Sequence, residues 1–156
     1  GGAGLAAERS VRSAEHLLAA SEENLRAMGK SGSIAVLLPA TAYSLKKPFA
    51  RGRDMVDWGV PVALATDCNP GSCFCESVPF IFGLGVMHMN MSIEEALTAS
   101  TLNAAYAINR AAKVGSLETG KQADFLVLDG ETPATLAYHA GSTSILEVYK
   151  LAERVA

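Results

Sequence analysis

The chain has 156 residues, 49% of them hydrophobic and 19% charged, with a formal net charge of −3. That balance suits one packed α/β core, and the scattered basic residues give no footprint for a nucleic-acid partner. The longest largely apolar run, Val78 to Met91, is too short to span a membrane and contains His88 and Asn90.

The start, Gly1-Gly2-Ala3-Gly4, has neither the basic nor the apolar region of a secretory signal. Leu5 to Glu8 reads as the end of a helix that lacks a starting cap, as if the chain begins mid-fold. Ser13 to Leu18 reads as a short strand and its exit, with His16 at the turning point. Ser21 is an N-cap for a helix over Glu22 to Lys30, with Leu25 and Met28 on one face and Gly32 beyond its end. Ser33 to Leu38 is a continuous apolar strand ended by Pro39, the composition of a strand covered on both faces. Pro48 is expected to open a helix carrying Met55, Val56 and Trp58 and stopped by Gly59. Pro61 to Thr66 is the next strand. This alternation of strand and helix with short connections predicts parallel βαβ units.

Further on, Ser77 opens a helix to about Met89, and Ser92 with Glu95 forms a capping box for a helix running to Ala107. Gly115 and Gly120 interrupt the helical text, Ala123 to Asp129 reads as a strand flanked by acids, and Ile145 to Tyr149 as a half-exposed one. The change of texture near residue 112 predicts two parts, 1–111 and 112–156.

Chemistry concentrates at Asp67. It follows the apolar run Val62-Ala63-Leu64-Ala65-Thr66 and precedes Cys68-Asn69-Pro70-Gly71-Ser72, so its carboxylate belongs at the C-terminal rim of a buried strand. A carboxylate there can hold a metal ion and accept a proton from water; it can equally cap its own loop through an Asx-type bond. Gly71 permits a close backbone approach that a Cβ would block. Cys68, Cys73 and Cys75 have the spacing C-x4-C-x-C, which lacks the paired cysteines of a structural zinc site; they are expected to be free thiols in a reducing compartment, the cytoplasm. The methionines around His88, Met87, Met89 and Met91, read as core filling rather than as a metal site, His139 beside Tyr138 as a solvated residue of a surface helix, and Glu94-Glu95 as a helix first-turn pair.

The run Gly115-Ser116-Leu117-Glu118-Thr119-Gly120-Lys121-Gln122-Ala123-Asp124 through Asp129 resembles the tail of metal-dependent amidohydrolases, where the chain leaves the barrel for a small β-domain. Asp67-Cys68-Asn69-Pro70-Gly71-Ser72, Ala14-Glu15-His16-Leu17 and Ile34 to Pro39 narrow the resemblance to the imidazolonepropionases. It implies a (β/α)8 TIM-type barrel of which residues 1–111 supply about strands six to eight, since a closed barrel takes about 250 residues. Residues 112–156 would return to the small β-sandwich domain. It further implies hydrolysis of 4-imidazolone-5-propanoate to N-formimidoyl-L-glutamate in histidine degradation, with one Zn or Fe ion held by an H-x-H pair, a further histidine and Asp67. Of that ligand set only Asp67 has a counterpart here, the histidines being His16, His88 and His139. The chain is therefore expected to be a C-terminal portion that does not catalyse by itself. The resemblance makes His16 and Asp67 catalytic, Asn69, Gly71 and Ser72 substrate-binding, and the partner a small molecule, with no nucleic acid and no membrane; a homodimer stays open. The alternatives are another cyclic amidase or deaminase of the superfamily, or a non-catalytic piece acting as an interaction module.

Overall fold

The computed structural model describes residues 1–156. A three-stranded parallel sheet forms from β1 (Ser13–Glu15), β2 (Ile34–Leu37) and β3 (Val62–Leu64), in that spatial order. The register sets Glu15 beside Val36 and Leu37 beside Leu64, so the three C-terminal strand ends share one rim. Helix α1 (Gly2–Glu8) precedes β1, α2 (Glu22–Ser31) connects β1 to β2, and α3 (Pro39–Ser44) and α4 (Gly52–Asp57) connect β2 to β3. The predicted βαβ order is present.

Every residue of β2 and β3 is buried, and the two faces pack differently. Ala35, Leu37, Val62 and Leu64 join Leu25 and Met28 of α2, Met55 of α4, and Ile81 and Phe82 of α5 (Val78–Met89) in the main core. Ile34, Val36 and Ala63 turn the other way and meet Ala104 and Ala107 of α7 (Leu102–Ala107). Asn103 of α7 donates through Nδ2 to the carbonyl of Val62 at 2.8 Å, fixing this helix at the start of β3. Strands sandwiched in this way must be apolar throughout, which is why their text shows no alternation. A cavity-forming change such as Leu25→Ala in so closed a core costs about 3 kcal/mol.

Several boundaries differ from the sequence expectation. Pro39 does end the strand, but it also occupies the first turn of α3, which follows β2 without a loop. Its fixed φ and missing N–H suit that position, so one residue both stops a strand and starts a helix. Pro48 opens no helix: α4 begins at Gly52, and Lys47 to Arg51 have no regular structure. The helix expected to run to Ala107 is two, α6 (Ile93–Ser100) and α7, broken at Thr101 (φ −123°, ψ −86°). The Ser92–Glu95 capping box is formed, and Glu95 also takes a two-pronged bond from Arg53 of α4 at 2.7 and 3.0 Å.

The second sheet is an antiparallel meander of β4 (Phe125–Leu128), β5 (Ile145–Lys150) and β6 (Glu153–Arg154). Phe125 and Tyr149 are partners in register and stack at 4.4 Å. Gly115, on the path from α7 to β4, has φ +100°, and a Cβ there would lie 2.7 Å from that of Ala105. Both facts require glycine. A short helix α8 (Thr135–Tyr138) packs against α5 and buries no side chain fully, and His139 after it is exposed. Against the main core, the guanidinium groups of Arg26 and Arg51 lie 4.6 and 4.9 Å from the ring centre of Trp58. No helix is long and apolar enough to cross a membrane.

Candidate active site

Three consecutive strand ends meet at the rim, each contributing one polar side chain. His16 is the first residue past β1, Thr41 lies in the first turn of α3 past β2, and Asp67 is three residues past β3. The backbone is left-handed at His16 (φ 65°), Leu17 (φ 60°) and Asp67 (φ 54°). Aspartate and histidine tolerate that region better than most residues, and such conformations concentrate where a side chain must be aimed. At His16 the turn is fixed by its own N–H on Val36 O at 3.0 Å and by Leu17 N–H on Glu15 O at 2.9 Å.

The Thr41 hydroxyl donates to Asp67 Oδ2 at 2.6 Å, a length typical of a bond to an ionised carboxylate. His16 Nε2 stands 4.0 Å from the same oxygen, with His16 51% and Asp67 25% exposed at the side chain. Asp67 Oδ1 forms no hydrogen bond to the protein. Asp67 is thus held at Oδ2, the oxygen nearer the imidazole, and free at Oδ1 on an open rim.

The Asx-type cap that Asp67 could have formed is made by Asn69 instead. Asn69 Oδ1 accepts from the backbone N–H of Gly71 at 2.8 Å and of Ser72 at 2.9 Å, and its Nδ2 donates to Asp67 O at 2.6 Å and Ser72 Oγ at 3.1 Å. A single bridge from Asn69 to Cys73 closes the loop. The Gly71 N–H is therefore engaged within the loop. Asn69, Gly71 and Ser72 lie together beside Asp67.

The three cysteines are free. Cys73 is buried, its thiol donating to Thr66 O at 3.6 Å, whereas Cys68 is exposed. Desolvation first, then the negative potential of Glu76 and the neighbouring thiols, pushes the Cys68 thiol above its ordinary value. That keeps it away from the thiolate form that binds metals or attacks carbonyls. His88 stacks on Phe49 at 4.7 Å but is exposed, as is Met87; core filling holds for Met89 and Met91, which are buried.

A tetrahedral zinc centre takes three or four protein donors. Asp67 and His16 offer two on one rim, and nowhere in the chain do three His, Cys, Asp or Glu side chains gather as a metal cluster would require. The donors fit a share of such a centre and not the whole of it. Thr41 was the member that sequence reasoning missed.

The family model described as the amidohydrolase family matches residues 16–155. The imidazolonepropionase of Desulfotalea psychrophila is 63% identical over 155 residues, covering 99% of this chain and 37% of that protein. That of Syntrophobacter fumaroxidans is 59% identical over 97% of this chain and 36% of its own length. The chain thus spans about a third of the relatives it matches. Among solved structures, a zinc-bound adenosine deaminase from Xanthomonas campestris superposes with a TM-score of 0.79 at 20% identity, over 91% of this chain and 36% of that one. A variant of the atrazine chlorohydrolase TrzN from Arthrobacter aurescens gives 0.80 at 20% identity, over 93% and 36%. At such identities the likeness speaks for the fold alone.

Proposed function

This chain belongs to the amidohydrolase family, and we propose that it serves within an enzyme that hydrolyses 4-imidazolone-5-propanoate to N-formimidoyl-L-glutamate, a step of histidine degradation. In this reading β1 to β3 are strands six to eight of a barrel, residues 1–111 its barrel portion and 112–156 the return to a small β-domain. The observation that carries it is Asp67: a rim carboxylate with one oxygen held, one free and an imidazole at 4.0 Å, in a segment 63% identical to a protein named imidazolonepropionase.

The reaction adds water to the ring carbonyl carbon and breaks that carbon's bond to the ring nitrogen, which departs with a proton. Asp67 is the acceptor for the proton of the attacking water, through its free oxygen. His16, exposed at the neighbouring strand end, either polarises the carbonyl oxygen or passes a proton to the leaving nitrogen. Asp67, joined by histidines from the rest of the protein, would hold one divalent ion, Zn or Fe, whose contribution when bound is to polarise the carbonyl and lower the pKa of water toward ~7. Asn69, Gly71 and Ser72 form the wall that receives the amide-like ring and the propionate. Three free thiols suit a reducing compartment such as the cytoplasm.

The test is turnover of 4-imidazolone-5-propanoate by the complete polypeptide carrying this segment, followed as loss of the ring's ultraviolet absorbance. Activity that Asp67→Asn reduces by about 10³-fold or more is the expected result, in the range reported for loss of a key catalytic group. A variant as fast as the parent, or a parent inert toward this substrate, overturns the proposal.

A further inference from the structure

We propose that Thr41 is a positioning residue for Asp67: its hydroxyl fixes one carboxylate oxygen so that the other stays available to the metal and the attacking water. The inference rests on the reading of Asp67 given above and goes beyond it, because neither the strand-end pattern nor any motif marks Thr41.

A threonine in a helix ordinarily satisfies its hydroxyl on a carbonyl three or four residues back along its own helix. Thr101 does so in this chain, donating to Leu97 O at 2.7 Å. Thr41, although in the first turn of α3, instead reaches 26 residues along the sequence to Asp67 Oδ2 at 2.6 Å. Thr41 is 4% exposed, so the donor end of the bond is shielded from water. Nor is the helix short of local geometry for its backbone: Thr41 N–H and Ala42 N–H both bond to Leu38 O, and only the side chain is diverted.

The placement follows from Pro39. Because α3 begins directly at the end of β2, Thr41 is set one turn above the central strand, between the strand ends that carry His16 and Asp67. A carboxylate on a left-handed residue, three positions beyond its strand, has side-chain freedom to lose. A buried, rigid donor removes that freedom in the folded protein, ahead of any ligand. Partners of metal ligands act in this way, and losing one typically lowers metal affinity about 10–100-fold.

The experiment compares Thr41→Val, which keeps shape and deletes the donor, with Thr41→Ser, which keeps the donor and deletes a methyl, in the complete polypeptide. The readouts are the metal dissociation constant by chelator competition and the visible spectrum of the cobalt-substituted protein, with far-ultraviolet circular dichroism to confirm folding. The expected outcome is ~10–100-fold weaker binding and an altered cobalt spectrum for Thr41→Val, with Thr41→Ser close to the parent. If Thr41→Val does not fold, Thr41→Ala takes its place against Thr41→Ser. Parental affinity and spectrum in the donor-less variant, alongside weak binding by Asp67→Asn, would overturn the role of Thr41 and leave that of Asp67 intact. Parental affinity in Asp67→Asn itself would instead remove the reading on which the role depends.

Discussion

Asn69 spends every polar atom of its side chain on its own loop: two backbone N–H groups on Oδ1, and Asp67 O with Ser72 Oγ on Nδ2. Shape and recognition are therefore coupled there. Asn69→Ala removes the loop's internal bonds and, in the proposed role, a wall of the substrate site. We expect kcat/KM for imidazolone propanoate to fall about 10–100-fold and stability by about 1–3 kcal/mol, the cost of leaving bonded groups unpaired. Asn69→Asp keeps the acceptor for Gly71 and Ser72 but turns an acceptor toward Asp67 O, so it should recover only part of the stability; equal kinetics for parent and Asn69→Ala would refute the role. At this scale the sequence is legible where a residue's partners are local. Asp67 stands out because an acid between an apolar run and a Pro-Gly turn has few other places to go. Thr41 does not, since its only distinguishing property is a partner 26 positions away.

Among the elements, the clearest cross-brace joins α4 to α6 through Arg53 and Glu95. The Arg53 guanidinium first, and the Ser92 N–H second, hold the Glu95 carboxyl below its ordinary value of 4.5. A carboxylate with a lowered folded-state pKa contributes stability that is complete above the ordinary value and disappears as pH falls through the folded one. Glu95→Gln keeps the cap, which glutamine can also form, and removes the charge. At neutral pH it should lower Tm by about 1–3 °C, as befits a partly exposed pair, and the gap to the parent should close as pH falls through the lowered folded-state value of Glu95. A gap that persists or widens in acid, measured by thermal melts across pH, would show that the ion pair is not its source. Elements were readable from text wherever a cap announced them, as Ser21, Ser77 and Ser92 do. The errors came where one signal serves two purposes: Pro39 reads as a stop and is also a start, and the break at Thr101 carries neither glycine nor proline, so the apolar pattern runs straight through it.

Taken whole, the molecule carries two sheets of unlike character, a parallel one with its strand ends gathered into a polar rim and an antiparallel meander. The parallel sheet leaves β1 and β3 each with one unpaired edge, since β2 lies between them. Open edges favour association. With only Asp67 and His16 on the rim, the isolated segment is predicted to hold no stoichiometric metal after dialysis, checked by elemental analysis. Tightly held metal at one ion per chain would mean that a complete ligand set exists within these residues. The parallel architecture was legible because doubly covered strands have a composition of their own; the assignment to amidohydrolases came from resemblance, since spacing at Asp67 could not distinguish a ligand from a loop cap.

Trp58 is the chain's one tryptophan, and it sits between two guanidinium groups, one borne on α2 and one just ahead of α4. The molecule accordingly contains a fluorophore whose emission depends on those helices staying together. Because the indole packs against the main core, its colour and intensity would track loss of that core in a cuvette, a folding signal read independently of turnover.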